Sequence, residues 1–310
     1  MFTLAHLSDP HLGLTETPRW RELVSKRITG YVNLTRVRAG SHSDLALDTI
    51  VSDIASSAPD HVAVTGDLIN IALAHEYGRA RAWLEQLGPP DHVSLVPGNH
   101  DAYLRRPARR GMGYWVRYMQ GDGLLADAPP TAQSWPYIRR RGPLALIGLS
   151  SAIATGLLMA TGRVGRAQRD RLAPILRQLR EEGLFRVILI HHPPVPGASS
   201  RHKRLIDARA VARVICAEGA ELVLHGHNHT DTLQFLPGAA GPIPVVGVPS
   251  ASSLGRGHHP PAQHHLFHIS GKPGRWQCEL VARSLLPATG TIHTAYTQQL
   301  NGATARIGPP

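Results

Sequence analysis

The stretch LVLHGHNHTD, residues 222–231, places His225, His227 and His229 within five positions, directly after three apolar residues. Imidazole is the commonest side-chain metal ligand, but three close histidines can equally form a polar loop. The decision rests on what the rest of the chain brings to the same place. ELVLH (221–225) has the length and composition of a buried strand, so the histidines stand at a strand's carboxyl end.

Other short apolar runs repeat that pattern. FTLAHL (2–7), HVAVT (61–65), HVSLV (92–96), LALIGLS (144–150), RVILIH (186–191), PVVGV (244–248), HLFHIS (265–270) and WQCELVARSL (276–285) also read as strands. Helical patterns fall between several of them. One is capped by Ser43, with Leu47, Ile50, Val51 and Ile54 on one face; others cover about 73–87, 166–180 and 207–217. Strand–helix alternation predicts an α/β fold with parallel sheet, and the sparser helices of the second half predict added antiparallel strands. The stretch 286–310 is polar and lacks periodicity, which divides the chain into a domain over 1–285 and a C-terminal tail.

Composition narrows the class. The chain has 310 residues, 42% of them hydrophobic, enough for a sizeable core. No apolar run approaches the roughly 18 residues of a membrane span. Two cysteines, Cys216 and Cys278, are too few for a disulfide framework. The opening MFTLAHLSDPHLG has no basic leader followed by a cleavage site, so a cytoplasmic location is expected. The net charge of +11 favours anionic partners: phosphate esters, nucleic acid or an anionic membrane surface. Residues 102–141 hold eight arginines against two aspartates. Residues 18–31 read as a basic amphipathic helix, with Pro18 at its first turn and Trp20, Leu23, Val24, Ile28 and Tyr31 on one side. Such a helix can cover its own core or lie on a membrane, which would make the protein membrane-peripheral.

Five polar motifs stand directly after expected strands. They are SDPHLG (Asp9, His11), TGDLI (Asp67), PGNHD (Asn99, His100, Asp101), IHHPP (His191, His192) and HGHNH (His227, His229). Each alone is an ordinary loop. In an open α/β sheet, however, the carboxyl ends of the strands share one rim, where sites are built. Carboxylate, imidazole and amide oxygen without thiolate suit divalent Mn, Fe, Zn or Co. Seven such ligands exceed one tetrahedral ion but fit two ions sharing a carboxylate, a recurrent arrangement for phosphoryl chemistry.

The ordered series D-x-H, G-D, G-N-H-D, H-x-P and G-H-x-H, complete across residues 9–229, resembles the calcineurin-like metallophosphoesterase superfamily. It is most similar to the bacterial class III cyclic-nucleotide and glycerophosphodiester phosphodiesterases. The resemblance implies a two-sheet αββα sandwich. It implies that Asp9, His11 and His229 hold one metal, that Asn99, His191 and His227 hold the other, and that Asp67 bridges them. His100 would act beside the metals, with Asp101 orienting it. His192 and His225 are read as packing residues beside the ligands.

The implied reaction is phosphodiester hydrolysis by a hydroxide that bridges the two metals, since a dication pair lowers the pKa of bound water. His100 would protonate the leaving oxygen or stabilise developing charge. Residues 102–118 and Arg201, Lys203 and Arg204 are expected as substrate walls. Three other readings remain open: a membrane-associated lipid phosphoesterase or pyrophosphatase, a nuclease, and a non-catalytic scaffold. Nucleic acid is disfavoured, because about 80 residues after His229 leave little room for a DNA-capping domain. A homo-oligomer is compatible with the sequence.

Overall fold

The structure is a computed structural model; it describes residues 1–37, 40–104, 111–123 and 134–300. Twelve strands are present among the described residues: β1 (Phe2–Leu7), β2 (His61–Val64), β3 (Val93–Leu95), β4 (Tyr137–Arg141), β5 (Leu144–Gly148), β6 (Phe185–Leu189), β7 (Leu222–His225), β8 (Thr232–Gly238), β9 (Gly241–Gly247), β10 (Gln263–Lys272), β11 (Arg275–Leu286) and β12 (Thr291–Gln299). The helices are α1 (Arg27–Val32), α2 (Asp44–Ser56), α3 (Ala74–Leu87), α4 (Arg166–Glu181) and α5 (Ala208–Glu218).

Two six-stranded sheets form, ordered β12-β11-β10-β1-β2-β3 and β4-β5-β6-β7-β9-β8. β1, β2 and β3 run parallel, as do β5, β6, β7 and β9. The central strands are apolar on both faces because both faces are covered. In β6, Phe185, Val187 and Leu189 enter the core between the sheets, while Ile188 joins Leu172, Leu176, Val211 and Ile215 of α4 and α5. β5 divides the same way, Leu144 and Leu146 inward, Ala145 and Ile147 outward. On the first sheet α2 and α3 add Leu47, Ile50, Ile54, Tyr77 and Leu84. The layers are therefore αββα, as the resemblance implied. Ser43 caps α2 as expected, its hydroxyl accepting from the Ala46 amide at 3.4 Å.

Three expectations change. Residues 286–310 are not a tail throughout: Thr291–Gln299 form β12, paired antiparallel with β11. Leu300 follows, buried, with its amide donating to the Cys278 carbonyl at 2.9 Å. Residues 301–310 lie outside the described residues. The strand escapes sequence reading because Thr, His, Tyr and Gln dominate it, and Ile292 and Ala295 alone give a half-exposed edge no apolar alternation. β4, sequence YIRRR, escapes for a related reason. Its buried Arg139 donates to the carbonyls of Gln120, Val93 and Arg117, each at 2.6 Å, so a charged side chain takes an inward position by serving loop carbonyls.

The segment 18–31 is not one amphipathic helix. A helical turn at Trp20–Glu22 precedes α1, and a wider turn at Asn33–Val37 follows it. Arg27 donates to the carbonyls of Ile71, at 3.0 Å, and of Ala72, tying α1 to the loop after β2. Leu23 and Tyr31 pack on the core, whereas Trp20, Val24 and Ile28 are exposed. No helix among the described residues is long and apolar enough to cross a membrane.

Leu300→Ala tests the docking of the C-terminal strand. Truncating a buried leucine costs about 2–5 kcal/mol, so the thermal midpoint should fall by several degrees. An unchanged midpoint would mean the segment does not pack.

Candidate metal centre

The parallel strands of each sheet end at one rim, and there the five motifs meet. Asp9 and His11 follow β1, Asp67 follows β2, Asn99 and His100 follow β3, His191 follows β6, and His227 and His229 follow β7. The backbone turns sharply at these points. Asp9, His11, Asp67, His227 and His229 all have positive φ, between 42° and 68°. Such conformations are uncommon outside glycine and cost roughly 1–3 kcal/mol each. Five in one cluster aim side chains at a common point rather than along the strands.

The atoms converge in two groups. In the first, the Nε2 of His229 lies 3.2 Å from the Oδ1 of Asp9 and 3.2 Å from the Nε2 of His11. In the second, the Nε2 of His191 lies 3.2 Å from the Nδ1 of His227, 3.3 Å from the Oδ1 of Asn99 and 3.3 Å from the Oδ2 of Asp67. Asp9, Asp67 and His191 join the groups, their ligand atoms lying within 4.8 Å of one another. Bonds of about 2.0–2.2 Å put two ligands of one ion roughly 3.0–3.5 Å apart. The 3.2–3.3 Å contacts therefore fit shared coordination. The donor set, two carboxylates with imidazoles and one amide oxygen, fits divalent ions.

Outer contacts fix the candidate ligands. His191 holds the Thr65 carbonyl with Nδ1 at 2.6 Å, leaving Nε2 toward the centre. His227 directs Nε2 to the Lys203 carbonyl at 2.7 Å, leaving Nδ1 inward. The amide of His227 donates to Asp9 Oδ2 at 2.9 Å, and the amide of His100 to Asp67 Oδ1 at 2.8 Å. Two glycines make room for these carboxylates. A Cβ on Gly226 would overlap Ser8 Oγ and Asp9 Oδ2, and one on Gly98 would overlap Asp67 Oδ1.

The electrostatics call for cations. Burial alone would raise the Asp9 carboxyl, yet the facing His229, His191 and His11 hold it well below the usual carboxylate range. Burial would lower His191, but the carboxylates of Asp67 and Asp9 lift it to about 9. His227 goes the other way: burial and the neighbouring His192 and His191 keep it neutral, the form that ligates metal.

Asp101 has a different place from the one expected. Its carboxylate accepts from the backbone amides of Asp67 and Leu68 at 2.9 Å and Gly98 at 2.8 Å, locking the Asp67 turn against the Asn99 turn. Burial and the Asp67 charge push its carboxyl up to about 7. The Nδ1 of His100 instead meets the carbonyl of Asn70. The carbonyl is thus what orients His100, and Asp101 positions the loop that carries Asp67.

His192 and His225 take packing positions. His192 engages Ser151 Oγ at 2.8 Å and the Ala160 carbonyl at 3.1 Å, occupying both ring nitrogens. His225 turns its Nδ1 to the Gly226 carbonyl at 3.0 Å. Lys203 lines a groove beside the centre, Arg204 lines a neighbouring cavity, and Arg201 is exposed in the same turn. Of the basic segment 102–118, residues 105–110 lie outside the described residues.

The motif reading missed several neighbours. His42 stands 5.2 Å from His11 and 5.9 Å from His229 between ring centres, and its Nδ1 meets Ser252 Oγ at 2.8 Å. His259 stands 5.7 Å from His229. Lys26 lies above the Tyr103 ring at 4.6 Å, close enough for the Asp67 charge to oppose the fall that burial imposes on its pKa. None of these follows a motif strand, so sequence offered only their residue types.

A family model for the calcineurin-like phosphoesterase matches residues 2–231, and the chain belongs to that family. It is 25% identical over 189 residues to a probable cyclic nucleotide phosphodiesterase of Synechococcus sp.. That match covers 60% of this chain and 64% of the relative, so less than two thirds of the relative's length is spanned. A dimetal phosphatase from Danio rerio superposes with a TM-score of 0.60 at 14% identity, covering 91% of this chain and 96% of that one. A purple acid phosphatase from yellow lupin seeds gives 0.54 at 12% identity, over 96% and 53% of the respective chains.

Gly226→Ala should displace Asp9 without altering any ligand. Bound metal and turnover should fall together, by roughly 10–100-fold in affinity, as read by metal titration. Unchanged affinity would show that Asp9 does not bind metal.

Proposed function

We propose that this phosphoesterase is a dinuclear-metal phosphodiesterase. One ion would be held by Asp9, His11 and His229, the other by Asn99, His191 and His227, with Asp67 between them. The observation that carries the reading is the meeting of the two ligand groups at Asp9, Asp67 and His191, whose ligand atoms lie within 4.8 Å of one another. The sequence likeness to a probable cyclic nucleotide phosphodiesterase supports the diester class. A bound metal pair would supply Lewis acidity and an activated water for attack on phosphorus.

The chain's own groups do the rest. His100, oriented by the Asn70 carbonyl, has its ring 5.0 Å from that of His11, beside the first ligand group. From there it can donate a proton to the leaving oxygen or stabilise charge developing on it. Lys203 and Lys26 line the approach and add positive charge for the phosphate. His42 and His259 crowd the first ligand group and limit access from that side.

A substrate panel tests the class: bis(p-nitrophenyl) phosphate, p-nitrophenyl phosphate, cyclic nucleotides and glycerophosphodiesters, each with Mn, Zn, Fe, Co or Mg. Diesters should be preferred over the monoester by at least about tenfold in kcat/KM, a barrier difference of roughly 1.4 kcal/mol. Chelation should abolish turnover. A preference for the monoester would overturn the diester assignment.

A further inference from the structure

The segment before and within α1 carries an apolar series that the core does not use. Trp20 in the helical turn, Val24 in the connection that follows it, and Ile28 and Val32 in α1 are all turned to solvent. Their exposures are 71%, 72%, 53% and 44%. Facing them, the loop after β5 presents Leu157 and Leu158, 60% and 84% exposed. The two sides are tied together: the Lys26 ammonium donates to Thr155 Oγ1 at 2.6 Å and to the Met159 carbonyl at 2.9 Å. Isolated exposed leucines need no explanation, but a contiguous apolar rim does.

Between the two sides lies a groove of about 890 Å³, within the range of ligand pockets. Ile28, Val32, Leu158 and Met159 form its outer walls, and Asn99 and His100 stand at its inner end. The groove therefore joins the exposed Ile28, Val32 and Leu158 to Asn99 and His100 of the candidate centre. Cations surround it. Arg19 and Arg21 are exposed on one side, Arg201, Lys203 and Arg204 on the other. An apolar rim within a cationic border is complementary to an anionic bilayer, whose surface attracts Lys and Arg and whose interior accepts Trp and Leu.

We propose that the groove seats the hydrocarbon chain of a lipid phosphate ester, delivered from an anionic bilayer that Trp20, Val24 and Leu157 enter. The phosphate of that lipid lies at the inner end, beside His100. The proposal rests on the phosphoesterase reading for its polar end only; the rim and groove are independent of the metals.

Two measurements on the metal-loaded full chain test it. The first is co-sedimentation with phosphatidylglycerol–phosphatidylcholine vesicles against pure phosphatidylcholine vesicles. Binding should be roughly tenfold or more tighter to the anionic vesicles. The W20S/V24S/L157S variant should lose it while hydrolysing bis(p-nitrophenyl) phosphate at the rate of the natural chain. The second compares methyl and dodecyl p-nitrophenyl phosphate. KM should fall at least about tenfold with the long chain, and Ile28→Asp should abolish that difference. Equal or absent vesicle binding, or a KM indifferent to chain length, overturns the proposal. A concentration-dependent dimer that the triple variant abolishes would assign the rim to a second copy and also overturn it. If neither diester is turned over, the phosphodiesterase reading fails and the vesicle measurement alone decides the rim.

Discussion

Two buried carboxylates at adjacent strand ends constrain everything near them. Asp9 and Asp67 follow β1 and β2, which pair in parallel, so their side chains reach the same small volume. Both are buried, and among the described residues neither forms an ion pair with an Arg or Lys. Two like charges in a low-dielectric space are costly unless cations join them. The surroundings serve that need. Backbone amides of His227 and His100 hold one oxygen of each carboxylate, Gly226 and Gly98 clear the space, and imidazoles complete the shell. Asp101 locks the two loops behind Asp67 through main-chain amides.

The candidate ligands are divided between the two sheets. The first sheet delivers Asp9, His11, Asp67 and Asn99; the second delivers His191, His227 and His229. Neither sheet holds a complete ligand set. The apolar core between them, where the ring of Phe185 in β6 meets that of Trp276 in β11 at 5.8 Å between centres, fixes the distance between the two half-sites. Packing free energy is thus what keeps the ligand atoms within reach of one another. The left-handed turns at five candidate ligands show the local conformational cost that the packing overcomes.

Much of this was legible in the sequence. Strands with apolar faces on both sides, such as β6 and β7, announce themselves, and the polar motifs after them mark the rim. The edge strands were not legible. β12 is half exposed and polar, and β4 replaces inward apolar residues with Arg139, whose role depends on carbonyls far away in sequence. The same limit applies at the site. His227 and His229 could be separated from His225 once Asp9, Asp67, Asn99 and His191 were counted. The role of Asp101 could not, because it acts on the amides of Asp67 and Leu68, more than thirty residues away. His42, His259 and Lys26 arrive from loops and short helical turns, where no periodic signal exists.

The central claim is that the rim binds two ions with Asp67 between them. Elemental analysis of the reconstituted chain, measured beside turnover, tests it most directly. The natural protein and His100→Ala should each hold two ions per chain, the latter with turnover lowered by about 10²–10⁴-fold. Asp67→Asn should lose both metal and turnover. Full metal content and full activity in Asp67→Asn would contradict it.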